Sequence, residues 1–475
     1  MKKSFNILLA VALFSFLASP SRSCKAQDAE YQLIRRSYTV NKDGSLDIGF
    51  RKEIKLLRNR AITAYADKGE TFILYNPATD RLTINESYTI RPDGSRVQTP
   101  ANAFVDQLPS QCENCGRYNH LRERAVIHTA LEYNCIIVLD YTIHRDNALL
   151  DETIFLSEDC PIKKYEIIYD INAPSSDGQK YAIGITNMPK SAKYLKQDDK
   201  HFHLVVNNLP QNYNDRYLPS AKELYPSVHI AYGDCTAKAN SFETVEEAKY
   251  LLGELFDNNP ATFEKNIRDY VANNIRTNNI PLSLLSYKVS SAKETFLAAC
   301  GTPADKEHLL NVLLRQAGLE TSNTTTKVET ANNSISVEEI LPWEGNTLGA
   351  GYSSMKLPIK EGSLNINPAR LTSDRKAPVK VDNCNESYHY TILLPRTPKR
   401  MLASKPVDIN YSKKGLGSIE IRIFQNPGGG IEVIRKLNLE VANGIVTPKL
   451  YKDFRKMMQD WNQHNTITIK ASSKD

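Results

Sequence analysis

Gly301-Thr302-Pro303-Ala304-Asp305-Lys306-Glu307-His308-Leu309-Leu310-Asn311-Val312-Leu313-Leu314-Arg315-Gln316-Ala317-Gly318 is the stretch whose reading decides the fold. Thr302, with Asp305 three residues on, is a capping-box variant. It can satisfy two of the amide groups that a helix start leaves without partners. Pro303 then takes the first helical position, where a missing N–H costs nothing. Leu309, Leu310, Leu313, Leu314 and Ala317 fall on one apolar stripe at helical spacing, and Gly318 ends the helix. The spacing predicts a well-capped, buried helix running to about Ala317.

The same residues resemble the nucleophile helix of the transglutaminase-like, papain-type domains. That family reads roughly Gly-x-Cys-x-Asp-x-x-x-Leu-Leu-x-x-Leu-Leu-Arg-x-x-Gly. Gly301, Asp305, both Leu pairs, Arg315 and Gly318 stand at the family's offsets, but Pro303 stands where the catalytic Cys belongs. A Cys there owes its reactivity to the helix dipole and free amide groups, which favour the thiolate. Proline removes the sulfur and one of those donors. The resemblance therefore implies an enzyme's scaffold without its nucleophile, with Pro303 and Asp305 marking the degenerate position.

Cys300, three residues earlier, is the alternative nucleophile. A papain-type site also needs a His as base and an orienting acid or amide. The sequence holds no His between His308 and His389, and no Asp between Asp305 and Asp374. His389 lies in Glu386-Ser387-Tyr388-His389-Tyr390-Thr391-Ile392, whose pattern is that of a strand. A Cys300–His389 dyad is the second reading; a small buried structural Cys300 is the first.

A chain of 475 residues has room for two to four domains. Met1-Lys2-Lys3, the apolar run Ile7 to Ala18 and the segment ending at Ala26 have the form of a secretory signal peptide. Whether Cys24 is lipidated is left open, because Ser21-Arg22-Ser23 is not a lipobox. No later stretch approaches the roughly 18 apolar residues of a membrane span. The expectation is an exported chain, periplasmic or at the cell surface. Its formal charge of +6 includes Lys2, Lys3, Arg22 and Lys25; without them 56 basic residues face 54 acidic ones. No basic stripe suits a phosphate backbone, so a nucleic-acid partner is not expected.

Cys112-Glu113-Asn114-Cys115 is a single Cys-x-x-Cys. Zinc would need two further ligands at motif spacing and only His120 is near, so no metal and no cofactor are expected. In an oxidising compartment Cys112 and Cys115 form a candidate local disulfide.

Residues 27–235 are strand-rich. Tyr38 to Phe50 predicts a hairpin turning at Asp43-Gly44, and Leu82 to Ile90 followed by Arg91-Pro92-Asp93-Gly94 repeats the pattern. An N-terminal β-sandwich is expected, and the order of features resembles the domain of unknown function that precedes transglutaminase-like domains in exported bacterial proteins. Residues 236–345 turn helical, with Asn259-Pro260 capping a helix that carries Phe263, Ile267, Tyr270, Val271 and Ile275 on one face. This is the expected transglutaminase-like α/β domain, too short for the family's whole sheet. Residues 346–475 are expected to form a C-terminal β-sandwich with one helix, capped at Thr447-Pro448 and carrying Leu450, Phe454, Met457, Met458 and Trp461. That domain resembles the one that follows transglutaminase-like domains in the same proteins. The resemblance implies a non-catalytic binding or scaffolding role toward peptide, protein or glycan; the alternative is a cysteine peptidase or transamidase using Cys300 and His389.

Overall fold

The computed structural model describes residues 27–65, 72–174, 181–198, 200–236, 243–319, 334–349, 352–358, 367, 370–373, 375–394, 400–403 and 406–472. The expected signal peptide, Cys24 and most of the polar stretch after Gly318 lie outside the described residues. The protein is mostly β, multidomain and built from several sheets. It divides into two compact units, residues 1–212 with 225–321, and residues 213–224 with 322–475.

In the first unit alternation of apolar and polar residues builds the main sheet. Strand Ala29–Val40 points Ala29, Tyr31, Ile34, Tyr38 and Val40 inward. It turns at Asp43-Gly44 into Leu46–Leu56, with Gly44 at φ +84° as the tight turn requires. The second expected hairpin forms between Asp80–Ile90 and Arg96–Gln98, turning at Asp93-Gly94. These strands belong to an eight-stranded sheet, antiparallel except where Ala29–Val40 runs beside Ile162–Ile171. One core joins this sheet, through Tyr38, Tyr165, Tyr169 and Phe202, to Ile154, Val228 and Ile230 of a three-stranded sheet and to Ile73 and Val126 of another.

The helices of residues 243–319 belong to the same unit. Asn259 accepts from the Ala261 N–H and caps Pro260–Asn274, which buries Phe263, Ile267 and Val271. They pack with Leu309, Val312, Leu313 and Leu314 of Pro303–Gln316. Among the described residues, no strand follows this helix within the first unit. Strand Ser334–Pro342 instead runs parallel to Cys384–Leu393 in a five-stranded sheet of the second unit. The expected boundary at 345 therefore moves upstream of Ser334, because backbone pairing ties that strand to the C-terminal sheet.

Residues 213–224, expected in the N-terminal domain, also belong to the second unit. The Tyr217 carbonyl accepts from the Lys380 N–H at 2.8 Å, and Lys380 Nζ reaches Glu223 at 2.8 Å. The C-terminal helix begins at Tyr451, with Leu450 at its N-cap position making no side-chain bond. Thr447-Pro448 lies one turn earlier, where the Thr447 carbonyl closes on Leu450. Tyr451, Phe454, Met457, Met458 and Trp461 are all buried in the core, as the stripe predicts.

Candidate functional site

Thr302 and Asp305 close the capping box as the spacing predicts. Thr302 Oγ1 accepts from the Asp305 N–H at 3.2 Å, and Asp305 Oδ2 accepts from the Thr302 N–H at 2.8 Å. Pro303 is the first residue of the helix. The Asp305 carboxylate also accepts from the Ser290 N–H at 2.6 Å and the Tyr118 hydroxyl at 3.0 Å. Asp305 is fully buried. Burial pushes its carboxyl up, but the bonds from Ser290, Thr302 and Tyr118 outweigh it and hold the pKa below the usual value. Burial and this adjacent carboxylate push the Tyr118 phenol up. The helix start is thus filled by the protein's own carboxylate.

Gly301 allows that closure, since a Cβ there would come 2.8 Å from the Asp305 Cβ. Ala299, in the left-handed region at φ +50°, turns the chain out of helix Ala292–Ala298 into the short parallel pairing of Cys300-Gly301 with Arg276-Thr277.

Cys300 is not a free thiol; it forms a disulfide with Cys115, 185 residues earlier. This corrects the expected local pair, for Cys112 remains a thiol, fully buried. Spacing brings Cys112 close to Cys115 in sequence. The packing of the 110–121 loop on the helical segment instead brings Cys300 to Cys115. Asn278 Nδ2 donates to the Gln111 carbonyl at 2.7 Å across the same contact. His120 Nδ1 lies 3.1 Å from the Arg117 carbonyl oxygen, and the described residues contain no group of three His, Cys, Asp or Glu placed to hold a metal ion. His389 lies on strand Cys384–Leu393 of the second unit, its Nε2 3.0 Å from Glu432 and its Nδ1 3.5 Å from Glu338. Cys300 and His389, the two members of the alternative dyad, are each engaged elsewhere.

A cleft of about 740 Å³ opens in the first unit between the main sheet and the 281–287 segment. Its polar lining includes Arg36, Arg145, Asp151, Glu152, Cys235 and Tyr287, with Thr153 and Ser283 beside them. Both arginines are committed. Arg145 is held by the buried Asp80 at 2.9 and 3.2 Å, and Arg36 stacks on Phe50 and donates to the Tyr165 hydroxyl. Tyr287, in the left-handed region together with Ser286, ties the segment to the strand Leu150–Phe155. Its hydroxyl accepts from the Asp151 N–H at 2.8 Å, and Asn76 Nδ2 donates to the Leu284 carbonyl at 2.9 Å. Burial, followed by the Asp151 charge, pushes the Cys235 thiol up, so it stays protonated at neutral pH. The cleft offers carboxylates, hydroxyls and apolar walls. None of these residues carries a local sequence signal, because each acquires its neighbours through long-range pairing.

Residues 42–211 match the model of the DUF3857 family and residues 354–470 that of DUF3858, each described as a domain of unknown function. The helical segment lies between them. No curated protein matches the chain. A crystal structure from Parabacteroides distasonis, described as a "putative protease", is 23% identical and covers 93% of this chain and 99% of its own, with a TM-score of 0.69. At that identity the two share a fold. A nutrient-binding protein from Legionella pneumophila, so described on the same provisional terms, is 11% identical over 61% of this chain and 94% of its own, with a TM-score of 0.19; this likeness carries no argument.

Proposed function

We propose that this chain is an exported, non-catalytic member of the transglutaminase-like group that binds peptide, protein or glycan through its first unit. One observation carries the reading: at the helix start where the family places its thiolate, Pro303 stands in a box closed by Asp305. Cys300, the cysteine nearest to it in the sequence, is spent in a disulfide. The fold shared with the Parabacteroides distasonis chain is compatible with a peptide-handling ancestry, and the assignment to this chain is ours. The cleft beside Asp151 and Tyr287 is the proposed ligand seat, since concave surfaces with a few fixed polar groups are where ligands bind.

Two assays test this. Amine incorporation into a glutamine-containing protein, and cleavage of a peptide mixture, should both stay at the no-protein rate, with the disulfide intact or reduced. Retention of the chain on isolated cell-envelope material should fall when Ser283→Trp fills the cleft. Turnover that vanishes in Cys300→Ser would overturn the reading in favour of a hydrolase.

A further inference from the structure

The staple uses only half of the Cys112-Glu113-Asn114-Cys115 motif. Cys112, Cys115 and Cys300 are all buried, at 0%, 2% and 2% exposure, in one cluster with Tyr118, Leu121, Ile280 and Leu284. The Cys115 N–H donates to the Cys112 carbonyl at 3.2 Å, and Asn114 sits between them in the left-handed region at φ +59°. A chain closed by such a bond brings its end Cα atoms within about 7 Å. Disulfides form at Cα separations of about 4.4–6.8 Å. The second cysteine of the motif therefore has two partners available in the folded protein, one joined to it and one held beside it as a thiol.

We propose that Cys112 is a resolving thiol and that the three cysteines form an internal thiol–disulfide relay with two pairings. The Cys112 thiolate attacks Cys115 Sγ, a Cys112–Cys115 bond forms, and the Cys115–Cys300 bond breaks. The electron pair leaves on Cys300, which takes up the proton that Cys112 gave up. Three sulfurs exchange one bond, so no oxidant or reductant is consumed. Burial, followed by the charge of Glu123, pushes the Cys112 thiol up, so little attacking thiolate is present at neutral pH and the exchange is slow there. Glu123 is itself held by Gln107 Nε2 at 2.8 Å.

The exchange replaces a link spanning 185 residues by one spanning three. Apart from the backbone, the described ties that then hold the helical segment to the N-terminal sheets are non-covalent, such as Tyr118–Asp305 and Asn278–Gln111. It also frees a thiol three residues before the start of the Pro303 helix. The relay goes beyond the binding role and does not depend on it.

The test is disulfide mapping of the full chain. It is incubated without reductant at a pH above the free-thiol pKa of about 8.5, quenched in acid, alkylated and digested. The expected result is that Cys300 alone of these three cysteines is alkylated, matched by a linked Cys112–Cys115 peptide, with Cys300 labelling lost in Cys112→Ser, which retains the native staple. Cys300→Ser should form the Cys112–Cys115 disulfide on oxidation. The relay is overturned if Cys300 stays unlabelled, or is labelled only together with Cys115 and equally in Cys112→Ser. It is likewise overturned if Cys112 and Cys115 both remain alkylatable in oxidised Cys300→Ser.

Discussion

Replacing Asp305 by alanine should be among the costliest single changes in the first unit. Its carboxylate is the common acceptor for the Thr302 N–H at 2.8 Å, the Ser290 N–H at 2.6 Å and the Tyr118 hydroxyl at 3.0 Å, and no part of it reaches solvent. Alanine would take the acceptor from two buried donors, the Thr302 N–H and the Tyr118 hydroxyl, each at about 1–3 kcal/mol, and from the half-buried Ser290 N–H at less. Water entering the vacated space can offset part of that, so the expected loss is about 4 kcal/mol. Asparagine should also cost stability, because its amide group would present donors to donors. The loss is pH-dependent with a defined sign. Asp305 titrates below its ordinary value in the folded protein, so its contribution is complete above the unfolded pKa of about 3.9 and fades as pH falls from there through the folded value. The gap between wild type and Asp305→Ala should therefore narrow in acid. Both tryptophans, Trp343 and Trp461, lie in the second unit, so indole fluorescence reports the wrong part of the chain. Urea unfolding should be followed by far-ultraviolet circular dichroism at neutral pH and at about pH 3. A loss below about 1 kcal/mol at neutral pH, or one of equal size in acid, would refute the reasoning.

Three further outcomes follow from the same geometry. Reducing Cys115–Cys300 should lower the unfolding midpoint; a 185-residue separation sets a chain-entropy ceiling of about 5 kcal/mol, and an unchanged midpoint with alkylation-confirmed reduction would count against the staple. Pro303→Cys alone should yield neither transamidation nor peptide cleavage, since an added thiol has no positioned base; turnover above the parent protein would reveal one. Iodoacetamide at about pH 6 should leave Cys300 unmodified in the oxidised chain, and fast selective labelling there would mean that the disulfide is absent and the thiol activated.

What the sequence makes legible here is local. Thr302, Pro303 and Asp305 act within one turn, so their spacing suffices to place a capped helix start, and the apolar stripe behind them needs only the helical period. The Asp-Gly hairpins are legible for the same reason. The expectations that moved depend on partners distant in sequence. A Cys-x-x-Cys spacing says that two sulfurs are close; it cannot say that a third, 185 residues away, packs closer still in the right direction. Period two marks Ser334–Pro342 as a strand but does not choose its neighbour, and its parallel register with Cys384–Leu393 carries it out of the middle domain.

The same distinction governs what can be said of function. Pro303 at the start of its helix is a local fact, legible in the sequence, and on the proposed reading it argues against one chemistry. The cleft at Asp151 and Tyr287 exists only because a left-handed turn at Ser286-Tyr287 lays one segment across a strand more than a hundred residues earlier. On the proposed reading, binding specificity resides in those long-range contacts. A homologue could keep every residue of the helix motif and still recognise a different ligand by changing the 281–287 segment alone. Exchanging that segment should then alter retention on envelope material while leaving the Pro303 helix and its capping box intact.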